Sequence, residues 1–158
     1  MVGIAVDTIQ TELLEEAIAS PQLLADVAKL EGYISETYSN RSFVELLQNA
    51  DDAGAKRFHV RLLEDAIFCA NDGRVFTEAD LRSICRSGSS TKTRGQTIGY
   101  RGIGFKSVAA LSERVQIRSG ALAVIFDRDR TARLTGLDRD SVPLIRIPHH
   151  ATQNDMVK

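Results

Sequence analysis

The chain has 158 residues, one domain's worth at roughly 100–200 residues per domain. Hydrophobic residues make up 43% and charged residues 26%, a globular composition that excludes intrinsic disorder. The 20 Lys and Arg against 21 Asp and Glu leave a net charge of -1, which excludes a basic nucleic-acid clamp as a whole-chain property.

No stretch approaches the ~20 apolar residues of a membrane span. The N-terminus, MVGIAVDTIQTELLEEA, turns acidic too early for a secretory signal. Cys69 and Cys85 form no CxxC pair, so two buried reduced thiols and a cytoplasmic setting are the expectation. His59, His149 and His150 lack metal-ligand spacing, so zinc is not expected.

In chain order, residues 5–19 and 21–31 read as helices separated by Ser20-Pro21. A third helix is expected over 42–53, stopped by Gly54. Residues 57–63 and 66–70 read as strands of a hairpin around Glu64-Asp65, with Phe58, Val60 and Leu62 alternating against His59 and Arg61. Thr77-Glu78-Ala79-Asp80 is a capping-box pattern opening another helix. Gly88 is expected to stop that helix.

Residues 87–104 hold five of the 11 glycines, and a helix is expected from Phe105 to about Ser112. Strands are expected at 114–118, 121–127, 131–135 and 143–147. The mixed-sign run Asp127-Arg128-Asp129-Arg130 with Arg133 reads as a solvated hairpin turn, and the tail from His149 has no periodicity. Helices before and between hairpins indicate α+β, with helices on one face of a mixed, mostly antiparallel sheet.

Chemistry concentrates in three places. In the third helix Phe43, Leu46, Leu47 and Ala50 form an apolar stripe expected to face the core. Glu45, Asn49 and Asp52 form a nearly opposite row. A carboxylate base beside a hard carboxamide oxygen suits a divalent metal and a water. The bland alternative makes Ser42-x-x-Glu45 a capping box.

Further on, Gly99, Gly102 and Gly104 run into a helix bearing Lys106, with Arg101 inside the bend. Glycines let backbone N–H groups converge, and a helix start adds unpaired donors, which suits a polyphosphate. The spacing departs by one residue from a Walker A loop and inverts the Rossmann fingerprint.

Glu45-to-Ala53, then Asn71-Asp72-Gly73, then Gly99-x-x-Gly102-x-Gly104-Phe105, in that order, together resemble the Bergerat ATP-binding fold of the GHKL superfamily. The likeness is closest to its ninety-kilodalton heat-shock chaperone and sacsin-type branch. Tyr38 to Arg41 and Ser87 to Lys92 look like that branch's flanking segments, so the likeness spans about residues 36–110.

The resemblance implies a Bergerat-type two-layer sandwich in a single domain over 1–158, with 1–35 as an N-terminal helical extension. The chain reads either as that domain alone or as the N-terminal part of a longer protein. The family's last strand carries a Thr after a Gly, and no such pair follows Leu144.

By the same resemblance Glu45 matches the general base and Asn49 the ligand of Mg²⁺. Asp52 and Ala53 match positions beside adenine and ribose. Asn71-Asp72-Gly73 sits at the adenine-reading motif, where either Asn71 or Asp72 serves. Ser89 and Lys92 fall at the start of a lid hinged at Gly88, Gly95 and Gly99. Gly99, Arg101, Gly102, Ile103, Gly104, Phe105 and Lys106 match the phosphate-wrapping loop and its helix.

The implied function is Mg-dependent binding and slow hydrolysis of ATP, with nucleotide-driven closure as a switch and dimerisation or larger assembly on binding. The alternatives are a non-hydrolysing ATP/ADP-sensing module, a DNA-processing ATPase and a histidine kinase. Near-zero charge argues against direct contact with nucleic acid. The N-terminal helices carry no His to accept phosphate.

Overall fold

The computed structural model describes residues 5–86 and 103–155. It is α+β. Helices α1 (Val6–Ala19) and α2 (Pro21–Tyr38) come first. Proline fits the first turn of α2, where its missing N–H costs nothing. Along α1, Val6, Ile9, Leu13 and Ala17 recur at helical spacing and are all buried. Helix α2 runs seven residues past the expected end at 31, to Tyr38.

A 3-10 turn, Ser39–Arg41, leads into α3 (Ser42–Asp52). Gly54 ends α3 at φ +74°. Its N–H reaches Asp51 O at 2.8 Å, and Ala55 N reaches Ala50 O at 3.0 Å. That is a Schellman closure, which needs a left-handed residue.

Strands β1 (Phe58–Leu62) and β2 (Ile67–Asn71) form the expected hairpin, with Phe58 opposite Asn71 and Leu62 opposite Ile67. Leu63 N donates to Ala66 O at 2.8 Å across the Glu64-Asp65 turn. Helix α4 (Glu78–Cys85) begins with the complete capping box of Thr77 and Asp80. It ends at Cys85, while the expected stop at Gly88 lies outside the described residues. Helix α5 (Ile103–Lys106) tightens into a 3-10 turn, Ser107–Ala110.

Strands β3 (Arg114–Ser119) and β4 (Leu122–Asp127) pair antiparallel around Gly120, and β5 (His149–His150) adds to β4. Among the described residues all ladders are antiparallel. They fall into two sheets, β1-β2 and β3-β4-β5.

Three local expectations are corrected. Residues 131–135 are not a strand, and the run from Asp127 is not a solvated turn. Both belong to α6 (Arg128–Thr135). Asp127 caps it by accepting from Arg130 N at 3.0 Å, and Gly136 closes it in the left-handed region. Residues 143–147 form no strand, although Leu144, Ile145 and Ile147 are fully buried. The amides of Leu144 and Ile145 are drawn to a side chain of α2 instead of a neighbouring strand. The tail is ordered by β5 and a 3-10 turn, Gln153–Asp155.

The core joins α1, α4, β4 and this irregular segment through Ile9, Leu13, Leu81, Cys85, Val124 and Phe126. The N-terminal helices are therefore part of the core. No helix among the described residues is long and apolar enough to cross a membrane.

Candidate functional site

Helix α3 turns its polar row inward. Ser42, Glu45 and Ala50 are buried, and Asn49 and Asp52 are half-buried. Phe43, Val44 and Leu47 are exposed. The expected core stripe is thus corrected, with only Ala50 and the half-buried Leu46 facing in. The cause is tertiary: α3 lies against α5 and the 3-10 turn behind it. The Ser42 hydroxyl donates to Ser107 O at 3.1 Å. It caps no amide of α3, so the capping-box explanation of Glu45 fails.

The Glu45 side chain packs directly against Gly104. A β-carbon built on Gly104 would overlap the Glu45 carboxylate, 2.7 Å from its Cδ and 3.2 Å from its Cγ. Only a glycine lets the start of α5 come this close. The first and third motifs therefore meet at one carboxylate, which is 8% exposed.

The second motif meets the other end of α3. Arg74 N donates to Ala53 O at 2.9 Å. A β-carbon on Gly73 would lie 2.8 Å from Ala53 Cβ and 3.0 Å from Ala53 O. Asp72 Oδ1 accepts from Lys56 N at 2.7 Å and Arg57 N at 2.9 Å. These two backbone bonds, the Arg57 amide first, hold its carboxyl below the usual range. Asn71 Oδ1 accepts from Gly73 N at 3.0 Å, an Asx turn on the exposed end of β2. Asp72 serves the 55–57 bend, and Asn71 stands at the exposed strand end.

Lys106 departs from expectation. It is 2% exposed, and its Nζ donates to Ile145 O at 2.8 Å and Ile84 O at 3.2 Å. Burial pushes its ammonium down to about 8, against the opposing pull of Glu31. The expected grip on phosphate is corrected: the charge points into the fold, held by backbone carbonyls. Phe105 is half-buried and packs against the core. Ile103 opens α5. Ser89, Lys92, Gly99, Arg101 and Gly102, with the hinges Gly88 and Gly95, lie outside the described residues.

Glu31 was missed by sequence reasoning. It is 1% exposed in α2. Its carboxylate accepts from Leu144 N at 2.6 Å, Ile145 N at 2.8 Å and Arg128 Nη2 at 3.0 Å. A buried carboxylate is tolerable only with such partners. A signal existed, since Glu31 continues the stripe of Leu24 and Ile34 at helical spacing, where a charge is out of place.

The oxygens on this face of α3 are of the kind a hard cation takes. A carboxylate and a carboxamide stand one turn apart on α3, beside a glycine whose seat any side chain would fill. Among the described residues no cluster of three or more His, Cys, Asp or Glu could hold a metal. A cleft between α1 and α2, lined by Leu13, Ala17, Leu24 and Arg146, carries none of the motif residues.

The family model described as "Sacsin domain" matches residues 60–156. Protein NO VEIN from Arabidopsis thaliana is 38% identical over 101 residues, covering 58% of this chain and 4% of that protein. The chain thus spans a small part of the length of that relative. No solved structure matches. The family match takes in the Asn-Asp-Gly turn and the glycine-rich stretch of sequence from 87 to 104, and begins after α3. As it covers well over half of the sequence, this chain belongs to the sacsin-domain family.

Proposed function

We propose that this domain binds ATP with Mg²⁺ and hydrolyses it slowly, as a GHKL-type, sacsin-like nucleotide switch. One observation carries the reading: both other motifs converge on α3, Gly104 on Glu45 and the Asn-Asp-Gly turn on Ala53.

In this reading Asn49 would hold the cation through its carboxamide oxygen, and the cation supplies neutralisation of phosphate charge. Glu45 orients the attacking water and accepts its proton. Asn71 offers both a donor and an acceptor to the adenine edge. Backbone amides ahead of α5 bind phosphate oxygens. The chemistry is positioning and charge neutralisation, with no covalent step on the protein.

Titration calorimetry with Mg-ATP, beside a phosphate-release assay, tests this on Glu45→Gln and Asn49→Ala. Glu45→Gln should keep nucleotide affinity and lose phosphate release by about 100-fold or more, the scale of general-base loss. Asn49→Ala should lose Mg-dependent binding. Unchanged release from Glu45→Gln would refute the base.

A second reading rests on the 8% exposure of Glu45. A carboxylate shut behind Gly104 suits a module that binds nucleotide without cleaving it. Equal affinity for ATP and a non-hydrolysable analogue, with no phosphate released by the wild type, would select that reading.

A further inference from the structure

Helix α5 has four residues, Ile103–Lys106. Isolated helices shorter than about 12 residues are marginal in water, so its place is set by tertiary anchors. Two are visible. One is the Ser42 hydroxyl on Ser107 O. The other is Lys106, whose ammonium bridges Ile84 O in the last turn of α4 and Ile145 O in the irregular segment.

Ile84 O is among the last carbonyls of α4, which have no partner within their helix. A cation at a helix C-terminus is also favoured. An apolar side chain of similar length would fill the same volume without the cost of burying a charge. What lysine adds is a pair of donors joining two elements to a third. Glu31, Cys85 and Arg146 are the other ionisable groups acting on it.

We infer that Lys106 is a positioning residue: it locks α5 to α4 and to the 144–147 segment, and so holds Gly104 against the Glu45 carboxylate. The lock stands on geometry alone; its functional weight rests on the nucleotide reading proposed above.

Backbone hydrogen exchange on the full chain, without nucleotide, tests the lock in wild type, Lys106→Met and Lys106→Arg. Lys106→Met should speed exchange about tenfold at 104–107 and 145–147 and leave the β3–β4 ladder protected. Lys106→Arg, which keeps donors for both carbonyls, should restore protection. Unchanged exchange in Lys106→Met overturns the inference. So does a uniform rise across the whole fold shared by both variants, since that reports lost packing. If Lys106→Met does not fold, Lys106→Arg decides: wild-type protection at 104–107 supports the lock, and a rise there shared with β3–β4 overturns it.

Turnover separates the role from direct phosphate contact. Lys106→Met should lower phosphate release about tenfold, hold the Kd for Mg-ATP within about twofold, and add nothing in a Glu45→Gln background. A tenfold rise in Kd at unchanged release would restore the phosphate contact and overturn positioning. A wild-type chain that binds no nucleotide refutes the proposed function and leaves the exchange result to judge the lock.

Discussion

Gly104 lacks a side chain where the Glu45 carboxylate needs the room. The overlap of a β-carbon with that carboxylate makes the pair a sharp probe of the site. Gly104→Ala should force Glu45 to another rotamer while the far end of that flexible side chain absorbs most of the clash. We expect a melting loss of about 1–3 kcal/mol, as for other overpacked sites. Phosphate release should fall further, by about 100-fold, because catalytic groups tolerate little misplacement. Thermal melts beside single-turnover assays check both, and full turnover in Gly104→Ala would detach Gly104 from the chemistry. Glu45 and Gly104 were both legible as motif residues. That they touch was not, because their meeting depends on α3 and α5 docking although 45 and 104 lie 59 positions apart in the chain.

Among the elements, α1 has the plainest energetic role. It lies outside the family match, yet Ile9 and Leu13 are 1% and 2% exposed within the shared core. Leu13→Ala should cost about 2–5 kcal/mol in chemical denaturation, the range for a buried leucine truncated to alanine. A cost near zero would mean that α1 is a loosely attached extension.

Ion pairs join the same helix to α4, Arg82 to Glu12 and Arg86 to Glu16. They are partly exposed, so each adds little, and the apolar contacts dominate. Helix α3 shows the limit of periodicity. Its stripe of Phe43, Leu46 and Leu47 satisfies every local rule for a buried face. The buried face is nonetheless the one carrying Ser42 and Glu45, since those side chains had partners in α5 and its following turn. Helix α6 shows the reverse failure, where alternating charges hid an ordinary cap at Asp127 and a glycine stop at Gly136.

At the scale of the molecule, His149 ties three elements. Its Nδ1 meets Gln10 Nε2 of α1 at 3.1 Å, and its Nε2 meets Thr131 Oγ1 of α6 at 3.0 Å. An amide donor facing Nδ1 selects the neutral ring with its proton on Nε2. Burial, then Arg130, lowers its pKa from the ordinary histidine value of 6.5 to about 4. The unfolded chain therefore binds the proton first. The stability that this histidine contributes is whole above pH 6.5 and is lost as pH falls towards 4. The steepest loss is about 1.4 kcal/mol per pH unit. Melting temperatures across that window should fall faster for wild type than for His149→Gln. Parallel curves would overturn the assignment of this loss to His149.

Local features follow from what neighbours along the chain can settle between themselves. Pro21 starts α2, Gly54 closes α3, Thr77 with Asp80 caps α4, and the β1–β2 hairpin follows from alternation around a two-residue turn. Each is a matter of a few bonds between residues close in the chain. Contacts between residues distant in the chain set which face of α3 is buried, where Lys106 places its charge, and why 143–147 is no strand. In that segment Glu31 takes the amides of Leu144 and Ile145, 113 and 114 residues away. Such bonds form because a buried polar group must find a partner wherever the packed chain brings one, and no local pattern encodes that distance.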